Sequence, residues 1–499
     1  MNVWNAPSGG TDPGSRGERV AFGRGPDVPR LRGPANVLSH GATPPSAEPI
    51  GEPRAVRGRW DWAYVGLFAF TGMLFLRPQD LLPPLAALHL AEVFAIVGLA
   101  ALINGRLARQ QPVLPLTQEV VGILLFAGVM LALVPFSIWP GGSLSMMTEL
   151  YLKVVLIFIL MAGTLTTPRR LQRFAWLIVL ASAYLGLRGV VDYARGINMV
   201  ENGRLAGSVG GVFNNPNDLA LNMVAFLPIA LLLAARRGRP AGRLVAALAS
   251  VLMFVTIVFT KSRGGFLGLG AMLIVLVAHG GRIRRGFGSA VVVALLAAVP
   301  LLPSSFWARM ASITDESEDA TGSREARRTV MREAWQAFLQ RPLTGVGPGE
   351  FKDYNPTWRQ ERWREAHNAY LQVASESGIA GAVVFLSLVW MAVRDAWATS
   401  RQRWRRRAAA AAAPGRTGSH AAGGPGGQRA PPDPASAVGV YATAMSASIV
   451  GWIVCATFAS VAYTWTFYYV FGIAMAARRM AAATPAAASG RFARRRMAA

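Results

Sequence analysis

Cysteine, lysine and charge are all scarce in this chain. The single cysteine, Cys455, lies inside an apolar run, which excludes an intramolecular disulfide and a multi-cysteine zinc site. Only three of the 51 basic residues are lysines (Lys153, Lys261 and Lys352), so a lone arginine reflects a coding bias as readily as a need for guanidinium chemistry. Charged residues make up 15% of the chain and hydrophobic ones 53%, with apolar runs of membrane-spanning length recurring throughout. The class this implies is an all-α, polytopic membrane helical bundle. A formal charge of +25 would point to nucleic acid in a soluble protein. Here the basic residues fall in short clusters between apolar runs and read as topology signals, so no nucleic-acid partner is expected. Residues 1–59, rich in Gly, Pro and Arg, lack an apolar stretch able to serve as a signal-peptide core, and read as a disordered cytoplasmic tail.

At about 20 residues per span, hydrophobic helices are expected near 60–76, 85–104, 119–138, 151–165, 172–194, 217–235, 244–260, 265–279, 287–303, 378–393, 436–459 and 464–477, about twelve in all. Alternate connections carry Arg106 and Arg109; Arg169, Arg170 and Arg173; Arg236, Arg237, Arg239 and Arg243; then Arg282, Arg284 and Arg285. The positive-inside rule makes those cytoplasmic, together with both termini. The domain plan is a tail (1–59), nine spans (60–303), a large periplasmic loop (304–377) and three spans (378–477) with a low-complexity cytoplasmic insertion (394–435). A basic cytoplasmic tail (478–499) ends the chain. Within the insertion, Ala408 to Pro434 is Ala/Gly/Pro-rich and reads as a linker without chemistry.

The loop from Ser304 to Ser377 is nearly charge-balanced and amphipathic, and is expected to fold as a helical cap. One helix should start near Ser323, show Val330, Ala334, Trp335 and Phe338 on one face, and stop at Arg341-Pro342. After the turn Gly345-Val346-Gly347-Pro348-Gly349, Asn355-Pro356 should open a second helix carrying Trp358, Trp363, His367, Tyr370 and Leu371.

Three polar stretches fall on the extracytoplasmic side by this topology. In the first, Arg204-Leu-Ala-Gly leads into Phe213-Asn-Asn-Pro-Asn-Asp. Asn215 suits a cap, Pro216 the first helical position and Asp218 the first turn, which alone is a structural reading. The functional reading adds that a helix end with nearby glycines offers N–H groups and partial positive charge to an anion beside Arg204, and a diphosphate suits that site. In the second, Lys261-Ser262-Arg263-Gly264-Gly265 confines two cations to a tight turn. Snorkelling to lipid headgroups is the plain account. Placement on the side where positive charge is depleted favours an anionic ligand, held bidentately by Arg263 and more loosely by Lys261. In the third, His367-Asn368-Ala369-Tyr370 precedes Glu376. A histidine near its ordinary pKa can take a proton from a hydroxyl or donate to an anion, although a loop histidine is more often merely exposed. Arg188 and Asp192, at i and i+4, read as a structural ion pair.

Taken in order, Arg204-Leu-Ala-Gly…Phe213-Asn-Asn-Pro-Asn-Asp-Leu-Ala, Ser262-Arg-Gly-Gly, Gly345-Val-Gly-Pro-Gly-Glu-Phe and His367-Asn-Ala-Tyr-Leu…Glu376-Ser-Gly-Ile-Ala-Gly resemble the O-antigen ligase and polymerase superfamily over roughly residues 190–395. The resemblance implies a glycosyltransferase in a bacterial inner membrane, with a periplasmic site and an undecaprenyl-diphosphate-linked glycan as donor. It further implies lipid A core or a growing glycan as acceptor, and no required metal or cofactor. It matches Arg204, Arg263 and His367 to the family's catalytic positions, and it makes Asn215, Asn217, Asp218, Lys261, Asn368 and Tyr370 substrate-binding candidates. The alternatives are a secondary transporter or flippase, which would place its polar groups near the midplane, and a peptidoglycan-polymerising or protein O-glycosylating enzyme.

Overall fold

The computed structural model describes residues 61–200, 203–207, 215–236, 239–279, 323–412 and 434–483, with positions 293, 297 and 307. The chain is a helical bundle. Its helices are α1 (Trp62–Leu76), α2 (Leu90–Leu107), α3 (Gln118–Leu133), α4 (Leu152–Thr164), α5 (Pro168–Arg195), α6 (Pro216–Ala235), α7 (Pro240–Phe259) and α8 (Arg263–His279). They continue as α9 (Ser323–Gln340), α10 (Ala369–Ala412), α11 (Pro434–Ala456) and α12 (Trp465–Ala483). Among the described residues, seven stretches are long and apolar enough to cross a membrane: Pro84–Leu107, Gln118–Phe136, Pro140–Thr164, Pro168–Arg195, Pro216–Ala235, Pro240–Phe259 and Ala369–Ala398. Arg263–Ala278 and Thr443–Ala456 are apolar but shorter. The expected tail at 1–59, the expected span at 287–303, most of the linker and the end of the C-terminal tail lie outside the described residues.

Capping explains where these helices begin. Thr117 accepts from the Val120 amide and Thr167 from the Arg170 amide, while Pro168, Pro216 and Pro240 occupy first-turn positions that need no N–H donor. Two boundaries differ from expectation. The fourth span starts at Pro140 instead of 151, because a short helix (Pro140–Ser145) and a π-helical turn (Met146–Tyr151) run into α4. The span expected at 378 starts at Ala369, with Gly378 as a kink inside it.

α6 is the central element, buried along almost its whole length and packed by α7, α11 and α8. Small residues permit close crossings. A Cβ placed on Gly66 of α1 would stand 2.5 Å from the Gly98 Cα of α2, so these backbones touch directly. One end of the bundle is charged. There Arg170 pairs with Asp61, the buried Glu119 carboxylate accepts from both Arg394 and Arg478, and Arg478 also meets Asp395 at 2.9 Å. These residues come from ends that the alternation of basic loops assigns to a single side, so packing and charge pattern agree. Arg188 and Asp192 do not pair as expected. Arg188 reaches the Tyr184 hydroxyl, and Asp192 accepts from the Asn198 amide at 2.9 Å, closing the turn after α5.

The other end carries the cap. α9 buries Val330, Ala334 and Ala337 against Val346, Phe351 and Ala366, while Trp335 is exposed, one residue off the face expected of it. Asn355-Pro356 opens no helix. Residues 355–368 are a looped segment organised around Arg359, whose guanidinium donates to the carbonyls of Phe351, Tyr354 and Arg364 and pairs with buried Glu333. Glu333 in turn accepts from the amides of Gln360 and Glu361. Those bonds hold the backbone away from helical geometry and override the local Asn-Pro signal.

Candidate functional site

Two two-residue strands place Arg204. Met199–Val200 (β1) pairs antiparallel with Arg204–Leu205 (β2), a hairpin that the sequence reading did not include. Leu205 is buried, so the hairpin is anchored by its apolar side and Arg204 lies half-buried at the mouth of α6. The Arg204 guanidinium donates from Nε to the Thr260 carbonyl at 3.2 Å and from Nη2 to Asn217 Oδ1 at 2.8 Å.

Asn217 Oδ1 is shared. The Ser262 hydroxyl also donates to it at 2.8 Å, and the same hydroxyl accepts from the Gly265 amide at 3.2 Å as the cap of α8. Asn215 caps α6, its side chain accepting the Asn217 amide at 2.8 Å. The amide oxygen of Asn217 thus ties the hairpin, the first turn of α6 and the turn between α7 and α8 into one unit. Lys261 occupies a left-handed position in that turn (φ 47°), with its Nζ beside Gly203 of the hairpin. Arg263 is the first residue of α8 and half-buried. Residues 201–202 and 208–214, including Gly210-Gly211 and Phe213-Asn214, lie outside the described residues.

His367 joins this unit through the turn after α11. Gly264 packs against Phe458, and Cys455 Sγ contacts the Gly264 carbonyl. The His367 amide donates to the Ser460 hydroxyl at 2.9 Å, and Asn368 Nδ2 to the Thr457 carbonyl at 3.3 Å. His367 is not on a helix as expected. It has φ 50° and immediately precedes Asn368, whose side chain caps α10 by accepting the amides of Tyr370 and Leu371 at 3.0 Å. Three helix N-termini, those of α6, α8 and α10, therefore open at the same end of the bundle as Arg204, Lys261, Arg263 and His367. Their partial positive charges add to those of the basic side chains.

Burial, with the positive charges of Arg327, Arg364 and Arg204 around it, holds the His367 imidazole down at about 4. The sequence expectation of a histidine titrating near neutrality does not hold in this fold, and the ring is neutral at pH 7. Asp218, half-buried in the first turn of α6, lies within electrostatic reach of Glu365. The Tyr370 hydroxyl donates to the Ile453 carbonyl at 3.2 Å, tying α10 to α11. Among the described residues, no three His, Cys, Asp or Glu side chains are grouped so as to hold a metal ion.

The glycine-rich turn braces the cap against the bundle. Val346 donates to Ser375, Gly347 to the Glu376 carbonyl, and Gly349 to the Glu376 carboxylate at 3.0 Å. Gly345 has φ 65°, and a Cβ there would stand 2.3 Å from the Glu376 carbonyl carbon, so both conformation and space demand glycine. Next to this turn Glu350 is buried against Trp139 and Gly142. Burial, with the Asp353 carboxylate nearby, pushes its carboxyl up to about 7. The Arg359–Glu333 pair and the double-acceptor role of Asn217 escaped the sequence reading. Neither has a local signal, since the partners lie 26 residues apart in the first case and 13 and 45 residues from Asn217 in the second.

No curated protein matches this chain. Residues 248–386, which hold Lys261, Arg263, the glycine-rich turn and His367, match the family model described as O-antigen ligase, and that match supports membership of the chain in the O-antigen ligase superfamily.

Proposed function

We propose that this multi-pass membrane protein is a glycosyltransferase that moves a glycan from an undecaprenyl-diphosphate carrier to an acceptor hydroxyl, on the periplasmic side of a bacterial inner membrane. The observation that carries the reading is the tie between the Arg204 hairpin and the Lys261-Ser262-Arg263 turn through Asn217, beside three helix N-termini. Such a concentration of donors and positive charge suits a diphosphate.

In the reaction, the bond between the anomeric carbon and the phosphate oxygen breaks, and its electron pair leaves with the diphosphate. The acceptor oxygen bonds to that carbon and passes its proton to the neutral His367 imidazole. Arg204 and Arg263 would stabilise the charge growing on the departing diphosphate. His367, neutral in the free protein, would accept a hydrogen bond from the acceptor hydroxyl and orient it. The incoming diphosphate would offset the arginine charges that depress the imidazole, strengthening the ring as a proton acceptor when substrate is bound.

Support for a transferase over a transporter comes from where the polar groups sit. The motifs gather at one end, whereas the central helix α6 is apolar below its first turn apart from Asn222, which bonds Thr466. The test is a transfer assay with purified protein and a polyprenyl-diphosphate oligosaccharide, with lipid A core or without added acceptor. Wild type is compared with Arg204→Ala, Arg263→Ala and His367→Ala. Product on lipid A core that the substitutions abolish identifies a ligase, and longer lipid-linked chains identify a polymerase. Substrate accumulation in proteoliposomes with no covalent product from well-folded protein refutes the proposal.

A further inference from the structure

The cap helix α9 is amphipathic twice over. Across its width it buries Val330, Glu333, Ala334 and Ala337 and exposes the opposite face. Along that exposed face the character changes with position. The first half carries Glu325, Arg328 and Arg332, with Arg332 meeting Glu325 at 3.1 Å in the open. The second half carries Trp335 (50% exposed) and Leu339 (58%), with Gln336 and Gln340 exposed along one edge, and Leu343 (75%) follows just past the helix end.

This apolar half adjoins a membrane-crossing helix. The Ile379 amide donates to the Pro342 carbonyl at 2.8 Å, and Gly378 packs against the Leu343 backbone. Leu343 is thus beside the start of the exposed stripe Ile379, Val383, Leu386 and Trp390 on the membrane-crossing part of α10. A stripe of that kind on a span faces acyl chains, so the exposed apolar end of α9 continues a lipid-facing surface.

We propose that α9 is seated in the outer leaflet, with Trp335, Leu339 and Leu343 inserted below the headgroups and Arg328 and Arg332 at the level of the lipid phosphates. The dimensions fit. Arg332 and Leu339 are seven residues apart, about 10 Å along a helix, and the headgroup layer is roughly 5–8 Å thick on each side. A tryptophan between an arginine and a leucine is the order that a water-to-acyl gradient selects. Long arginine side chains reach back to phosphate oxygens while their stems lie among carbons. The seat fixes the height of the cap that carries the 355–368 loop and His367, and this inference stands independently of the reaction.

The buried Cys455 makes the test clean, because a Cys455→Ser background leaves only introduced thiols. Spin labels at Arg328→Cys, Leu339→Cys and Leu343→Cys, with Val383→Cys as the span reference, are read in phosphatidylglycerol/phosphatidylethanolamine nanodiscs. Relaxation by oxygen reports the acyl region and relaxation by a water-soluble nickel chelate reports water. All four positions are exposed, so folding tolerates the labels. The expected result is oxygen-dominated relaxation at 339 and 343, as at 383, and nickel-dominated relaxation at 328. Nickel-dominated relaxation at 339 and 343 overturns the proposal. So does exclusion of both reagents there, which would mean that a second copy or another protein covers the stripe.

Discussion

An isosteric change at Asn217 separates charge from shape in the proposed diphosphate site. Asn217 Oδ1 accepts from Arg204 and Ser262 at 2.8 Å each, so an aspartate would keep both bonds. A neutral carbonyl orients the guanidinium without cancelling its charge, whereas a carboxylate would orient and neutralise it. A phosphate oxygen on the far side of the guanidinium would stand about 6–7 Å from the new charge. At an effective dielectric of about 20, that gives roughly 2.5 kcal/mol of repulsion, close to two orders of magnitude in affinity. Asn217→Asp should therefore weaken binding of undecaprenyl diphosphate to protein in nanodiscs by about 10- to 100-fold. Its melting temperature should equal or exceed wild type, because the bond to Arg204 becomes charge-assisted. Asn217→Ala removes the acceptor and should lower both, with a stability loss of about 1–3 kcal/mol from two unmade bonds. Binding would be followed by calorimetry and unfolding by intrinsic fluorescence. If Asn217→Asp binds as wild type does while Arg204→Ala does not, the charge argument is wrong. If Arg204→Ala also binds normally, the diphosphate site itself is misplaced.

Three further outcomes follow from the geometry. With His367 at about 4 in the free protein, kcat/KM should be level from pH 5.5 to 7.5 and fall only near pH 4. The limb in kcat should lie higher, because bound diphosphate favours the protonated ring, and a kcat/KM inflection between pH 6 and 7 would contradict the burial argument. Glu350, raised to about 7 in the fold, stabilises the protein fully below its unfolded pKa, and that contribution is lost as pH rises through 7. Glu350→Gln, which mimics the protonated form, should melt higher than wild type at pH 8, with the difference closing by pH 5. Arg359→Met strands the buried Glu333 carboxylate and should destabilise the cap by about 3–5 kcal/mol, seen as protease cleavage within 323–368. Pairing it with Glu333→Leu removes the stranded charge but should leave the cap cleavable, because the Phe351, Tyr354 and Arg364 carbonyls and the Gln360 and Glu361 amides still lack their partners.

Most of the bundle was readable because membrane helices announce themselves locally. Asn215 caps and Pro216 takes the first helical position as expected, and the ends that carry the basic residues are brought together by ion pairs. The errors lie where a distant partner outranks a local signal. Asn355-Pro356 has the form of a helix start, but Arg359 and Glu333 claim the surrounding carbonyls and amides for a loop. His367 was placed on a helix for the same reason and stands one residue before its cap. Trp335 was placed on one face with Val330, Ala334 and Phe338, yet the buried face of α9 is made of smaller residues and Trp335 is exposed. At the site, motif order identified Arg204, Ser262-Arg263 and His367 as belonging together. That one asparagine oxygen is what joins the first two pieces depends on a hydrogen bond across 45 residues.

α10 spans Ala369 to Ala412, with a non-helical kink at Gly378, and its longer segment runs from there to Ala412. Arg394 lies at the charged end of the bundle beside Glu119, near the end of the apolar stretch Ala369–Ala398. From there to Ala412 the helix extends up to about 27 Å at 1.5 Å per residue, well past a headgroup layer roughly 5–8 Å deep. The C-terminal end of α10 consequently projects well beyond the charged end of the bundle instead of stopping there. A tag or fusion placed at the Ala412 end of α10 would sit at the opposite end of the bundle from the Arg204 hairpin.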